Sequence, residues 1–177
     1  MFLEVGAVGN YINRDRANYH LKSDKLSKRF NMKEIYTEIE IQASSERVWQ
    51  VLTDLEHFSQ WNPFIRSAKG ELKVGSQIEI LIQPPDASAM KFRPHVLKVE
   101  PNREFRWLGN LLIPGLFDGE HIFIIDSLSE NKVIFRHFEQ FRGILIPLLW
   151  KSLDTNARQG FNEMNTALKK LVESTNN

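Results

Sequence analysis

The segment KEIYTEIEIQ, residues 33–42, alternates strictly, with Ile35, Thr37, Ile39 and Ile41 on one side and Glu34, Tyr36, Glu38 and Glu40 on the other. A period of two with one apolar face predicts a half-buried β-strand. The period then changes. Ser44 or Ser45 stands ahead of Glu46 and Arg47 as an N-cap, and Val48, Trp49, Val51, Leu52 and Leu55 recur at helical spacing, so a short amphipathic helix follows. The stretch LEHFSQWNPF has room for one or two more helical turns before Pro63 forces Asn62 into an extended conformation. From Phe64 to Phe141, turn chemistry recurs at Lys69-Gly70, Val74-Gly75-Ser76, Gln83-Pro84-Pro85-Asp86, Glu100-Pro101-Asn102, Asn110 to Gly115, and Ser127 to Asn131. These breaks predict six further strands, all antiparallel. Pro94, inside the run from Lys91 to Glu100, removes a ladder donor and implies an edge or a bulge there. From Pro147 onward Leu149, Leu153, Ala157, Gly160, Phe161, Met164, Leu168 and Leu171 recur every three to four residues. That spacing predicts one amphipathic helix of about 26 residues, roughly 39 Å long.

One strand, two short helices, six strands and one long helix make an α+β architecture. Seven antiparallel strands form a curved sheet wrapped around the terminal helix, the only element able to cover the concave face. Space between a curved sheet and a helix is where small ligands bind. The runs SSERVWQVLTDLEHFSQWNPF, EPNREFRWLG, PGLFDGEHIF and FEQFRGIL, in this order before a long final helix, resemble the SRPBCC group of the START-like superfamily. Its helix-grip fold is shared with birch-pollen allergen, lipid-transfer START domains and polyketide cyclases. The resemblance covers about residues 33–174, which sets the expected boundaries: an extension over 1–31, flexible or not, and a helix-grip domain over 32–174. It implies a deep hydrophobic cavity but no particular ligand, since the group includes carriers, cyclases, dehydratases and chaperone cofactors with no shared catalytic set.

The 177 residues, 42% hydrophobic and 25% charged, are those of an ordinary soluble globular chain with a sizeable core. The cysteine count is 0, which excludes disulfides, thiolate nucleophiles, iron–sulfur clusters and sulfur-ligated zinc. Glu4 and Gly6 break the apolar start within a few residues, so neither a secretory segment nor a membrane span is expected, and the cytoplasm is the default. Residues 1–31 carry Arg14, Arg16, Lys22, Lys25, Lys28 and Arg29 against Glu4, Asp15 and Asp24. A few dispersed cations are a weak electrostatic footprint, and no nucleic-acid partner is expected. There is no glycine-rich phosphate loop, no GxSxG elbow and no HExxH. No cofactor is expected.

The aromatic residues are the strongest remaining signal. Those expected to line the cavity are Phe58, Trp61, Phe64, Phe92, Trp107, Phe117, Phe123, Phe135 and Phe161, joined by Leu153, Ala157 and Met164 from the long helix. In helix-grip proteins, the resemblance implies, Phe58 and Trp61 border the cavity entrance and the loop through Pro114, Gly115, Leu116 and Phe117 gates it. The last two strands add polar groups. A hairpin closed at SLSEN pairs residues whose numbers sum to about 258, which sets His121 directly opposite His137. His121, Phe123, Ile125, Val133, Phe135, His137, Glu139 and Phe141 then share one face, expected to point inward. His121, His137 and Glu139 are open to three readings: a mutually satisfied polar patch that orients a ligand or stiffens the wall, general acid–base chemistry with Glu139 fixing an imidazole tautomer, or a metal site. The first expectation is therefore a non-catalytic binder of a lipid or polyketide-like molecule. The alternatives are a cyclase, dehydratase or isomerase, and a cochaperone-like interaction module. Nothing in the sequence fixes the oligomeric state.

Overall fold

The computed structural model describes residues 32–174. Strand β1 (Lys33–Ile41) buries Ile35 and Ile41 completely, as its alternation requires. Helix α1 (Ser45–Thr53) starts where Ser44 Oγ accepts the Arg47 N–H and turns Val48, Val51 and Leu52 inward. A single 3₁₀ turn (Leu55–His57) leads into α2 (Phe58–Trp61). The buried Asn62 then bridges helix to strand, its Oδ1 accepting the N–H groups of Phe64 and Ile65.

Strands β2 (Ile65–Lys69), β3 (Glu79–Ile82) and β4 (Met90–Phe92) form a three-stranded antiparallel sheet. Strands β5 (His95–Glu100), β6 (Glu104–Asn110), β7 (Asp118–Ser129) and β8 (Lys132–Arg142) continue with β1 as a five-stranded sheet in the order β1-β8-β7-β6-β5. The described residues thus hold eight strands in two sheets where the sequence suggests seven in one. Pro94 is the reason. It has no N–H to give, and its carbonyl accepts from the Ile78 N–H at 3.0 Å, so the run from 91 to 100 breaks at residues 93–94. β4 pairs with β3 on one side of the break and β5 pairs with β6 on the other. The two sheets remain joined by the single bridge Gln77–His95.

The C-terminal helix crosses the concave side. It begins at α3 (Ile146–Ser152), with Pro147 in the first turn where its missing N–H costs nothing. It passes through a π turn (Leu153–Ala157) and runs on as α4 (Arg158–Ser174). The sequence spacing predicts an uninterrupted α-helix and does not predict the π turn. Within it the Thr155 hydroxyl donates to the Lys151 carbonyl, the kind of back-bond that distorts a helical ladder. Gly160 then lets the helix meet the sheet closely. A Cβ at this position would collide with the Phe64 ring, which instead packs edge-on against Phe161 at 5.3 Å. The cost of a mid-helix glycine, about 0.5–1 kcal/mol, is offset by that approach.

Candidate functional site

The β7–β8 hairpin places its residues in a register two residues away from the sequence expectation. The strands run on to a two-residue turn with a bulge between Ser127 and Ser129, so opposed residues sum to 260: His121 faces Glu139, and Phe123 faces His137. The inward face itself is as expected, with His121, Phe123, Ile125, Val133, Phe135, His137 and Phe141 all buried. Rows then form across the sheet. Trp107, His121, Glu139 and Ile35 make one, and Phe105, Phe123, His137 and Thr37 the next.

The two histidines meet on the diagonal between these rows, Nε2 to Nε2, at 2.5 Å. His137 Nδ1 lies 2.9 Å from Asn165 Oδ1 on α4, Asn165 Nδ2 donates to Thr37 Oγ1, and the Thr37 hydroxyl donates to the His137 carbonyl. Directions are now forced. The single Thr37 proton is used on a carbonyl, so Asn165 must turn its amide nitrogen to Thr37 and its oxygen to His137. His137 therefore carries its proton on Nδ1 and presents a lone pair at Nε2, which accepts the Nε2–H of His121. A neutral His121 is left with a bare Nδ1, buried and without a hydrogen-bond partner. Its nearest polar neighbour is Glu139 Oε2 at 3.7 Å.

Burial keeps this chain neutral. Removal from water pushes His121 well below its ordinary value, and the adjacent His137 adds to the effect. His137 falls to about 3 for the same reason, despite its bond to Asn165. Glu139 rises to about 8, again through burial, with no cation near it to oppose the shift. The imidazoles are packed among rings: His137 stacks on the Phe161 ring at 3.9 Å, nearly parallel, and Trp107 sits 4.9 Å from His121, tilted by 40°. At 2.5 Å the facing nitrogens leave no room for a shared metal ion, whose bonds to imidazole would each be about 2.0–2.1 Å.

Glu139 is where the chain reaches open space. Its side chain keeps 14% exposure against 1% for His121. It lines a narrow cleft of about 590 Å³, counting the open mouth, bounded by both sheets and the π turn. Phe64, Phe92, Trp107, Phe117, Leu153 and Ala157 line it as the sequence suggests, together with Ile80, Ile82, Pro84, Met90, Pro94, Gly109, Asn110, Gly119 and Phe141. Glu139 is its one ionisable wall residue among the described residues. Gly119 makes room for it, since a Cβ there would collide with Glu139 Oε1.

The other expected lining residues lie elsewhere. Phe58, Phe123, Phe135, Phe161 and Met164 are fully buried core, and His121 and His137 form the layer behind the wall. Trp61 packs against Phe58 at 5.2 Å. Asn165 and Thr37 belong to the polar chain but were not singled out by sequence reasoning. Asn165 does leave a trace, a lone amide on the apolar stripe between Met164 and Leu168. The loop from 111 to 116 is tied to the segment after β8 by Ile144 N–H to Gly115 O and Leu145 N–H to Leu116 O. Leu112, Ile113, Ile144 and Leu148 stand exposed on these two segments, which flank the cleft at Phe117 and Phe141.

Comparison with known proteins places the chain. The profile of the polyketide cyclase/dehydrase and lipid transport family matches residues 32–173. The chain belongs to this family. Solved structures agree on the fold. A START superfamily protein from Mycobacterium smegmatis superposes with a TM-score of 0.66 at 19% identity, covering 80% of this chain and 97% of that one. The Zhui aromatase/cyclase from Streptomyces sp. R1128 gives 0.67 at 12% identity, covering 80% and 94%. Norcoclaurine synthase from Thalictrum flavum, in complex with dopamine and hydroxybenzaldehyde, gives 0.63 at 14% identity, covering 82% and 89%. No curated protein matches the sequence. The helix-grip architecture is thus shared, and no helix among the described residues is long and apolar enough to cross a membrane.

Proposed function

We propose that the protein binds an apolar small molecule in the cleft between its two sheets and the π turn, and holds it rather than transforming it. The observation that carries this reading is the cleft wall: aromatic, aliphatic, methionine and proline side chains around one carboxyl, Glu139, and one amide, Asn110. Burial of apolar ligand surface supplies about 25 cal/mol per Å², so covering some 200 Å² of ligand contributes about 5 kcal/mol before association costs are subtracted. The narrowness of the void favours a flat or slender molecule. Membership of a family described by both lipid transport and cyclisation is compatible with such a ligand.

Native mass spectrometry of the protein from its own host tests this directly. The expected result is a co-purifying apolar molecule near one per chain, lost from Ala157→Trp, which fills the cleft from the helix side while the circular dichroism spectrum is unchanged. A ligand retained in full by folded Ala157→Trp would place binding somewhere else.

A second reading, a cyclase- or dehydratase-type enzyme, is favoured by one observation, a cleft carboxyl 3.7 Å from an imidazole nitrogen, which burial raises above the ordinary carboxyl range. The chain behind that carboxyl argues for holding. It ends on an amide and a threonine hydroxyl, neither able to take a proton, and burial opposes protonation of both imidazoles on the way. A proton delivered to Glu139 is therefore not passed inward and can leave only by way of the cleft.

A further inference from the structure

The buried chain has a direction, and the direction selects a ligand. Read from Thr37 through Asn165, His137 and His121, every bond is fixed, and it ends on a buried His121 Nδ1 that can only accept. Glu139 Oε2, at 3.7 Å, is close enough to meet it after a small rotation of the side chain. An ionised carboxylate would set lone pairs against a lone pair. A neutral carboxyl satisfies the histidine by donating its O–H inward, and its second oxygen then has nothing to donate. What Glu139 offers the cleft in that state is an acceptor alone.

We propose that Glu139 is the polar anchor of the cleft and that it recognises an apolar molecule bearing a hydroxyl group, alcoholic or phenolic, which donates to the carboxyl oxygen left free by His121. The proposal rests on reading the cleft as the ligand site. His121 is a positioning residue in it, since it touches no ligand and sets which way the carboxyl proton points. The surroundings leave that arrangement undisturbed. Ile35 faces Glu139 from β1, Gly119 on β7 leaves space for its carboxyl, and Leu153, Ala157 and Asn110 share the cleft wall, the Asn110 amide N–H being given to Asp118. The titratable groups facing it are His121 across the hairpin and His137 behind, both held neutral. An ether or ketone, which cannot donate, gains nothing from this anchor.

Three probes sharing one aromatic body test it: 2-naphthalenemethanol, its methyl ether, and 2-methylnaphthalene, titrated calorimetrically at pH 6.5. One hydrogen bond made or missed is worth about tenfold in affinity, so the alcohol is expected to bind about ten times more tightly than the ether. Glu139→Gln should keep that preference, because the amide N–H can donate to His121 while its oxygen accepts. Glu139→Leu should lose the preference and still bind 2-methylnaphthalene. His121→Phe, which releases the carboxyl proton toward the cleft, should raise the ether to the level of the alcohol. Equal binding of alcohol and ether by the unaltered protein, or a preference that survives Glu139→Leu, would overturn the assignment and leave the cleft reading standing if 2-methylnaphthalene binds. If none of the three binds, the cleft reading fails and the anchor fails with it.

Discussion

Glu100 and Glu139 are the same residue type on the same five-stranded sheet, and their surroundings drive them in opposite directions. Glu100 is in water with Lys98 at 2.9 Å and Arg103 at 2.7 Å, and hydrogen bonds from these cations hold its carboxyl below the ordinary range. Glu139 faces inward with no cation, and burial alone lifts it to about 8. The contrast extends to whole networks. On the outer face of β5, β6 and β7, Lys98, Glu100, Arg103, Glu104, Arg106 and Glu120 exchange ion pairs. One residue along the same strands, Trp107 and His121 point inward to the neutral chain. A sheet's period of two therefore separates a charged, solvated network from a buried one in which each proton has a fixed place. In the first, every partner but the buried Glu104 can be replaced by water. In the second, nothing can.

The sharpest break of that comparison is Asn165→Leu. It leaves the His137 Nδ1–H with no acceptor and deprives Thr37 of a donor in the core, and is expected to lower stability by about 3 kcal/mol in urea denaturation. A loss within error of zero would mean that the chain contributes no more than its surface counterpart. The pH profile comes next. The histidines have folded values below their ordinary 6.5, so their contribution is complete above about 6.5 and is lost as pH falls through their folded values, about 3 for His137. Glu139 has a folded value of about 8 against an ordinary 4.5, so its contribution is complete below about 4.5 and is lost as pH rises through 8. Two groups outweigh one between these limits, and stability from the chain should peak near pH 6.5. Glu139→Gln should remove the alkaline decline and leave the acid one, and an unchanged alkaline limb in that variant would assign the decline to another group.

Gly119→Ala sharpens the comparison at smaller cost. The new methyl displaces the Glu139 carboxyl from its cradle, so alcohol affinity should fall severalfold while 2-methylnaphthalene binding holds; parallel losses for both would indicate a general distortion of the cleft. Glu100→Gln, at the solvated end, should leave the melting temperature unmoved and remove only a salt-sensitive interaction.

Much of this was legible in the residues. Strict alternation in β1, the Ser44 cap, the turn chemistry and the terminal helix follow from local periodicity, and so does the inward face that carries His121, His137 and Glu139. The register was not, because the turn lies nearer the C-terminal end of SLSEN than its composition suggests, setting Ser129 opposite Lys132, and a bulge at Ser127 to Ser129 then shifts the pairing by one residue; composition does not announce a bulge. Pro94 signalled an irregularity correctly, but whether it bends one strand or divides two sheets depends on what its carbonyl finds across the gap, here Ile78. The cleft was half visible. Phe64, Trp107 and Ala157 line it, whereas Phe161 and Met164, on the same apolar stripe as Ala157, lie deeper because Gly160 draws the helix onto Phe64. Asn165 shows why the chain escaped notice: an amide on an apolar stripe becomes meaningful only once its partners, Thr37 and His137, arrive from strands more than a hundred and about thirty residues away. The basic extension over 1–31 lies outside the described residues.

The central claim is that a neutral, directional chain stands behind the cleft, and nitrogen-15 NMR of labelled histidines reads it directly. The account predicts that His137 holds its proton on Nδ1 and His121 on Nε2, with both signals unchanged from pH 5 to pH 7, below the range in which Glu139 ionises. Either imidazole in the opposite tautomer, or a titration midpoint near 6.5 for either one, would contradict it.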